Sequence, residues 1–243
     1  MPVIENIAKP QIPLFDEPYA LNPAKNYMLQ LLWHRILELQ PERSLDAGAG
    51  ALRNCWMFPG QYVGISLNKP AFYKGLSLYR QQVGSGPTPL VYLMRLQSDF
   101  SFLGLFDLCV STGTLEYVPE REDVVGRLSK AVRRGGSLIV SDEIRWLESY
   151  IKLLEPHYRQ LEIVYWSSSE TGFMDEQIEH PRVLELSRLE MSLPNRRELH
   201  AAFYLVGQSK VTEDTHHSPA PKMSNEGGLM IVEHDLPYAK LTE

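Results

Sequence analysis

Apolar positions change their period several times along the chain. Met28, Leu31, Leu32, Ile36 and Leu39 recur at steps of three and four, the spacing of one helical face. Pro23 suits a first helical turn and Pro41 closes the segment, so the pattern predicts an amphipathic helix over 23–39. Short apolar runs follow at 44–47, 62–65, 91–96, 106–111 and 137–141, each the length of a buried parallel strand. Helical stretches separate them, clearest at 120–133. There Val124, Val125, Leu128 and Val132 share a face, and Arg133-Arg134-Gly135-Gly136 supplies a cationic last turn and a glycine stop. Strands alternating with helices imply right-handed crossovers, helices on both faces and a doubly wound α/β sheet.

The organisation changes after Ser141. Residues 145–154 predict a helix, 161–166 a strand and 201–207 (AAFYLVG) a final strand. Between the last two lies an insertion, 167–200, with a predicted helix over 182–191, and a connection of that length usually carries function. Pro2, Pro10, Pro13 and Pro18 make residues 1–22 an irregular N-terminal arm. Residues 208–243 are polar and rich in turn formers, so a disordered tail is expected, with an apolar patch at 229–232. The predicted organisation is an arm, one domain over 23–207 and a tail.

Composition narrows the class. The 243 residues are 44% hydrophobic and 22% charged, enough for one full core. Cys55 and Cys109 lie too far apart for a CxxC metal or redox motif and are too few for a disulfide framework, so no metal is expected and a reducing, cytoplasmic setting fits best. The first residues show no basic start before an apolar core, and no run approaches 18 apolar residues, so neither export nor membrane spanning is expected. Net charge is -6, and the tail, with three Lys/Arg against six Asp/Glu, accounts for half of it. The compact basic groups are Arg133-Arg134 and Arg196-Arg197, which argues against stable nucleic-acid binding.

The strongest chemical signal is Leu45-Asp46-Ala47-Gly48-Ala49-Gly50 at the end of the first predicted strand. A G-x-G turn there lets a ligand approach the backbone closely, and the following amides can face polar or anionic atoms. Arg53 stands where the longer dinucleotide fingerprint has its third glycine. An acid before the glycines suits an ammonium group instead.

Five segments in order resemble the class I S-adenosylmethionine-dependent methyltransferases: the acidic glycine loop, then Tyr62 to Asn68, Ser98-Asp99-Phe100, Phe106 to Pro119, and Arg133 to Asp142. The resemblance implies a Rossmann-like, mostly parallel seven-stranded sheet with an antiparallel last strand, in three αβα layers. It implies S-adenosyl-L-methionine as cofactor and methyl transfer to a small-molecule acceptor. It places Asp46, Ala47, Gly48, Ala49 and Gly50 at the methionine end, Ser66 or Asn68 near the ribose, Asp99 with Phe100 around the adenine, and Ser111, Thr112 and Gly113 under the methyl group. Ser66 departs from the family, which normally has Asp or Glu there. That departure keeps a non-catalytic binding or scaffold protein as an alternative, with an NAD(P)-dependent oxidoreductase behind it.

No catalytic residue is assigned; Glu116, Tyr117 and His157 are weak candidates. Asp99 also reads as a helix or turn cap, Glu116 as an acid that orders its loop, and His157 as an ordinary loop histidine. The arm and the 167–200 insertion are the expected covers of the acceptor site.

Overall fold

The computed structural model describes residues 23–83, 88–168, 182–185, 200–212 and 219–232. Helix α1 (Pro23–Leu39) buries Met28, Leu29, Leu32 and Ile36. It ends at Gln40, whose φ of 43° and N–H bond to the Ile36 carbonyl close the last turn before Pro41. Strand β1 (Arg43–Ala47) follows, then one turn of 3-10 helix (Cys55–Met57), β2 (Gln61–Ser66), α2 (Lys69–Val83) and β3 (Leu90–Leu93). The short β1–β2 crossover therefore holds a single helical turn, as its length requires. Asn68 caps α2, its Oδ1 accepting from the Ala71 N–H at 3.0 Å.

Next come β4 (Phe106–Ser111), α3 (Arg121–Ala131), β5 (Val132–Glu143), α4 (Leu147–Leu154), β6 (Tyr158–Ser168), β7 (Arg182–Glu185), β8 (His200–Lys210), β9 (Met223–Glu226) and β10 (Leu229–Val232). All ten strands join in one sheet of order β7-β6-β8-β5-β4-β1-β2-β3-β10-β9. β1 to β5 pair in parallel, and β8 runs antiparallel to both β5 and β6. The expected seven strands with an antiparallel last member form the middle, β3 to β6, and three further strands extend the two edges. Side chains alternate between faces. Leu108, Val110, Ile139 and Tyr204 pack with α1 and α2, while Leu45, Cys109, Leu138 and Phe203 pack with α3 and α4.

Four expectations need correction. Residues 182–185 form strand β7, paired with β6 from Glu162↔Glu185 to Tyr165↔Arg182, rather than the first turn of a helix. The backbone groups on the open edge of β6 outweigh a weak helical period; residues 186–191 lie outside the described residues. The 133–136 turn belongs to β5: Val132 pairs with Phe106, and pairing resumes at Ser137↔Leu108 after an outward bulge. β3 stops at Leu93, which frees Met94 and Leu96 for another role.

The fourth concerns the stretch assigned to a disordered tail. β8 continues through Lys210, whose Nζ donates to the carbonyls of Ser129 (2.7 Å) and Val132 (2.8 Å) at the end of α3. Further on, Gly227 and Gly228, with φ of 56° and 93°, make the tight turn of a β9–β10 hairpin. Leu229 to Ile231 pair in parallel with Val91 to Leu93. Lys69 and Tyr73 of α2 hold Glu226 at 2.6 and 3.1 Å. The apolar run 229–232 thus covers an otherwise open sheet edge. The arm, 1–22, and residues 169–181 and 186–199 of the insertion lie outside the described residues.

Leu229 is fully buried, so Leu229→Ala is expected to destabilise the protein by about 2–4 kcal/mol, read from urea unfolding. An unchanged midpoint would mean that the hairpin is not part of the folded domain.

Candidate functional site

Strand order reverses between β1 and β4, the position at which an open α/β sheet leaves a crevice beyond its carboxyl ends. A cleft of about 500 Å³ opens there, within the roughly 300–1,000 Å³ of small-molecule and cofactor sites.

The glycine loop forms its inner wall. The amides of Gly48 and Ala49 both donate to the Ile65 carbonyl at 2.9 Å, pinning the loop to the end of β2. Gly48 has φ +104°, and a Cβ on it would run into the Thr114 side chain. Glycine is required at 48 on both counts. Gly50, Ala51, Arg53 and Asn54 continue this wall along the crossover.

The end of β4 makes the floor. The Ser111 hydroxyl donates to the Ala47 carbonyl at 2.8 Å, tying β4 to β1, and the Gly113 amide donates to Ser141 Oγ at 3.2 Å. Thr112, Gly113, Thr114, Tyr117 and Val118 face the cleft. Arg121 holds this loop: it donates to the Glu116 carbonyl at 3.2 Å and, through its other nitrogen, to Asp142 at 3.0 Å. Tyr150 donates to the same Asp142 carboxylate at 2.6 Å; burial and that carboxylate push the Tyr150 phenol far above its ordinary range.

The third wall comes from β2 and β3: Ser66, Leu67 and Asn68 on one side, Met94, Leu96 and Gln97 on the other. Ser66 Oγ accepts from the Asn68 amide at 3.1 Å. Asn68 Oδ1 is engaged by the cap of α2, leaving its amide group toward solvent.

Of the residues singled out from sequence, Gly48, Ala49, Gly50, Ser66, Asn68, Thr112, Gly113 and Tyr117 line the cleft. Asp46, Ala47 and Ser111 lie beneath it, buried. Asp46 is 1% exposed and accepts from Tyr62 Oη at 2.9 Å, with Asn54 Nδ2 at 3.5 Å. Burial raises its carboxyl to about 6, opposed by the Tyr62 and Asn54 bonds and the nearby Arg53 charge. Asp99 is exposed, and its Oδ1 accepts from the Ser101 amide at 2.9 Å, the turn-cap alternative; Phe100 is 2% exposed and packs in the core. Leu96 and Gln97 occupy the wall expected of that pair. Glu116 contributes its carbonyl. His157 sits at the start of β6, at the opposite end of the sheet, with Nδ1 3.3 Å from Thr212 Oγ1. Tyr117 is 75% exposed at the cleft mouth.

Sequence reasoning missed Arg53, Asn54, Met94, Leu96, Gln97 and Thr114. Only two carried a signal: Arg53 replaces an expected glycine, and Asn54 is a polar residue beside apolar neighbours in a very short crossover.

The fold is that of the class I S-adenosylmethionine-dependent methyltransferases. The YcgJ protein of Bacillus subtilis is 13% identical, with a TM-score of 0.54 over 77% of this chain and 99% of its own. The N-methyltransferase NodS of Bradyrhizobium japonicum WM9, solved with S-adenosyl-L-homocysteine, is 15% identical with a TM-score of 0.52, covering 80% and 92%. Magnesium protoporphyrin IX methyltransferase of Synechocystis PCC 6803, also solved with that compound, is 12% identical with a TM-score of 0.52, covering 75% and 82%. No family model matches the sequence, and no curated protein matches it. Among the described residues no helix is long and apolar enough to cross a membrane.

The raised Asp46 carboxyl sets a pH dependence. Its contribution to stability is fully present below about 3.8 and is lost as pH rises through about 6, because the folded state holds the proton more tightly than the unfolded one. At about 1.4 kcal/mol per tenfold change in proton affinity, the loss is about 3 kcal/mol. Wild-type unfolding midpoints should fall across this window, and those of Asp46→Asn should lack that component.

Proposed function

We propose that this chain is an S-adenosylmethionine-dependent methyltransferase acting on a small-molecule acceptor. The observation that carries the reading is the glycine loop at the reversal of strand order: a Cβ at Gly48 would fill the turn, and the loop opens into a cleft of cofactor size. The likeness of fold to proteins solved with S-adenosylhomocysteine supports it. When bound, the cofactor supplies an electrophilic methyl group on sulfonium. The chain's own part is to bind, to orient and to exclude water.

Among the described residues lining the cleft there is no carboxylate or imidazole; Arg53 and Tyr117 are the titratable side chains. A base is needed only for a protonated nucleophile of high pKa. An acceptor atom that already presents a lone pair suits this lining without one. Thr112 and Gly113 would support the reacting methyl from below, and Tyr117 at the mouth would contact the acceptor. Ser66 and Asn68 would face the ribose with neutral partners only. That feature sustains the second reading, a methyltransferase fold kept as a binding or scaffold module.

Calorimetric titration with S-adenosylhomocysteine separates the two. Saturable binding is expected for the wild type, with a loss of at least about a hundredfold in Gly48→Ala. A wild type that takes up no S-adenosylhomocysteine at millimolar levels would sink the enzyme reading and leave the scaffold one.

A further inference from the structure

The β9–β10 hairpin covers one sheet edge and presents another. β9 stands last in the strand order, so among the described residues no strand pairs with its outer side. Lys222, Ser224, Asn225 and Glu226 are exposed along it. An exposed edge strand offers its outward N–H and C=O groups to a further strand.

Hairpin geometry identifies those groups. Gly227 and Gly228, with φ of 56° and 93°, form a two-residue turn between Glu226 and Leu229, which stand directly opposite each other. The pair flanking such a turn exchanges both of its backbone bonds, and bonded and non-bonded pairs then alternate along the ladder. Glu226 and Ser224 therefore direct their N–H and C=O groups to β10, while Asn225 and Met223 direct theirs outward. The turn bounds this free edge on one side. On the other, Pro221 stands at the next outward position and has no N–H to offer.

The edge is complementary to itself. In an antiparallel pairing of two copies centred on Ser224, Met223 of each faces Asn225 of the other, and every outward group of both finds a partner. Lys222 then lies opposite Glu226 of the second copy, and the same ion pair recurs on the other side of the axis. A slip by two residues either way sets Asn225 against Pro221 or Met223 against the turn, so the register is fixed. Lys69 and Tyr73 both reach Glu226 through Oε2, and a carboxylate accepts through two oxygens. Tyr73 also lines a hollow of about 360 Å³ on α2, with Leu76, Ser77, Arg80 and Gln81. A two-fold axis through Ser224 brings the hollows of both copies to the same face of the joined sheet.

We propose that β9 is a dimerisation edge, at which a second copy of this chain pairs antiparallel through residues 222–226 and joins the two sheets into one. The contact is smaller than the roughly 1,600 Å² of a standard interface, so the dimer forms in the micromolar range. The proposal is independent of any ligand in the cleft.

Sedimentation equilibrium of the full chain across the micromolar range is expected to show monomer and dimer in exchange. Asn225→Pro removes an outward N–H and none that β10 uses, and is expected to weaken the dimer at least about tenfold. Lys222→Glu sets like charges opposite each other at both ends and is expected to act in the same direction, less so at high salt. Amide exchange followed by NMR is expected to slow at Met223 and Asn225 as concentration rises, with Ser224 and Glu226 unchanged. A chain that stays monomeric throughout overturns the proposal. So does a dimer that both variants leave intact, or one that forms without added protection at Met223 and Asn225. If Asn225→Pro loses its fold by circular dichroism, Lys222→Glu and the exchange pattern decide.

Discussion

Between β1 and β4 the chain departs in opposite directions. After β1 it crosses to the face covered by α1 and α2, and after β4 to the face covered by α3 and α4. The two crossovers leave a gap above the strand ends, lined from one side by Asn54 and from the other by Thr112 and Thr114. What holds the gap at fixed width is a small set of backbone anchors: the Ser111 hydroxyl on the Ala47 carbonyl, and the Gly48 and Ala49 amides sharing the Ile65 carbonyl. The accepting carbonyls belong to Ala47 and Ile65, both fully buried, so each bond resists exchange for water. The cleft is therefore a property of the sheet, and its chemistry is set by whichever residues line its three walls.

The floor is fixed from a second direction. Helix α3 is tied at both ends by buried cations. Arg121 in its first turn joins the Glu116 carbonyl to Asp142 on β5, with the guanidinium 4.6 Å above the Trp146 ring. Lys210 on β8, 2% exposed, satisfies the carbonyls at its other end. A cation at a helix C-terminus meets favourable potential there. Removing either cation would strand buried acceptors, and the loop over 112–118 is held by Arg121 through the Glu116 carbonyl and by the Gly113 amide on Ser141 Oγ. Rigidity at the floor is what a site that works by orientation needs.

Local pattern revealed the parts of this structure that depend on local pattern. The apolar runs at 44–47, 62–65 and 106–111 are buried strands because their side chains meet helices on both faces, and Asp46-Ala47-Gly48 turns where a glycine was needed. β7 and the β9–β10 hairpin escaped notice because their existence depends on a neighbour's open edge, which no short window contains. The pairing of Leu229 with Val91 joins residues far apart in the chain. The site divides in the same way. Gly48 and Gly50 announce themselves by backbone geometry, whereas Gln97 and Asn54 are ordinary polar residues until the fold brings them to one cavity. An acid followed by an aromatic fits a turn cap as well as a binding pair, and Asp99 Oδ1 accepts from the Ser101 amide.

The choice between an enzyme and a scaffold turns on Ser66. A charged hydrogen bond contributes about 1.5–3 kcal/mol and a neutral one about 0.5–1.5 kcal/mol, so replacing an acid by a hydroxyl costs about tenfold in affinity. That is a modest loss if the rest of the ligand is held firmly. The Ser66 hydroxyl accepts from the Asn68 amide, which leaves its own proton to donate. A tenfold loss at one contact leaves the rest of the cleft lining to hold the ligand, and the serine alone gives no reason to deny the fold its chemistry.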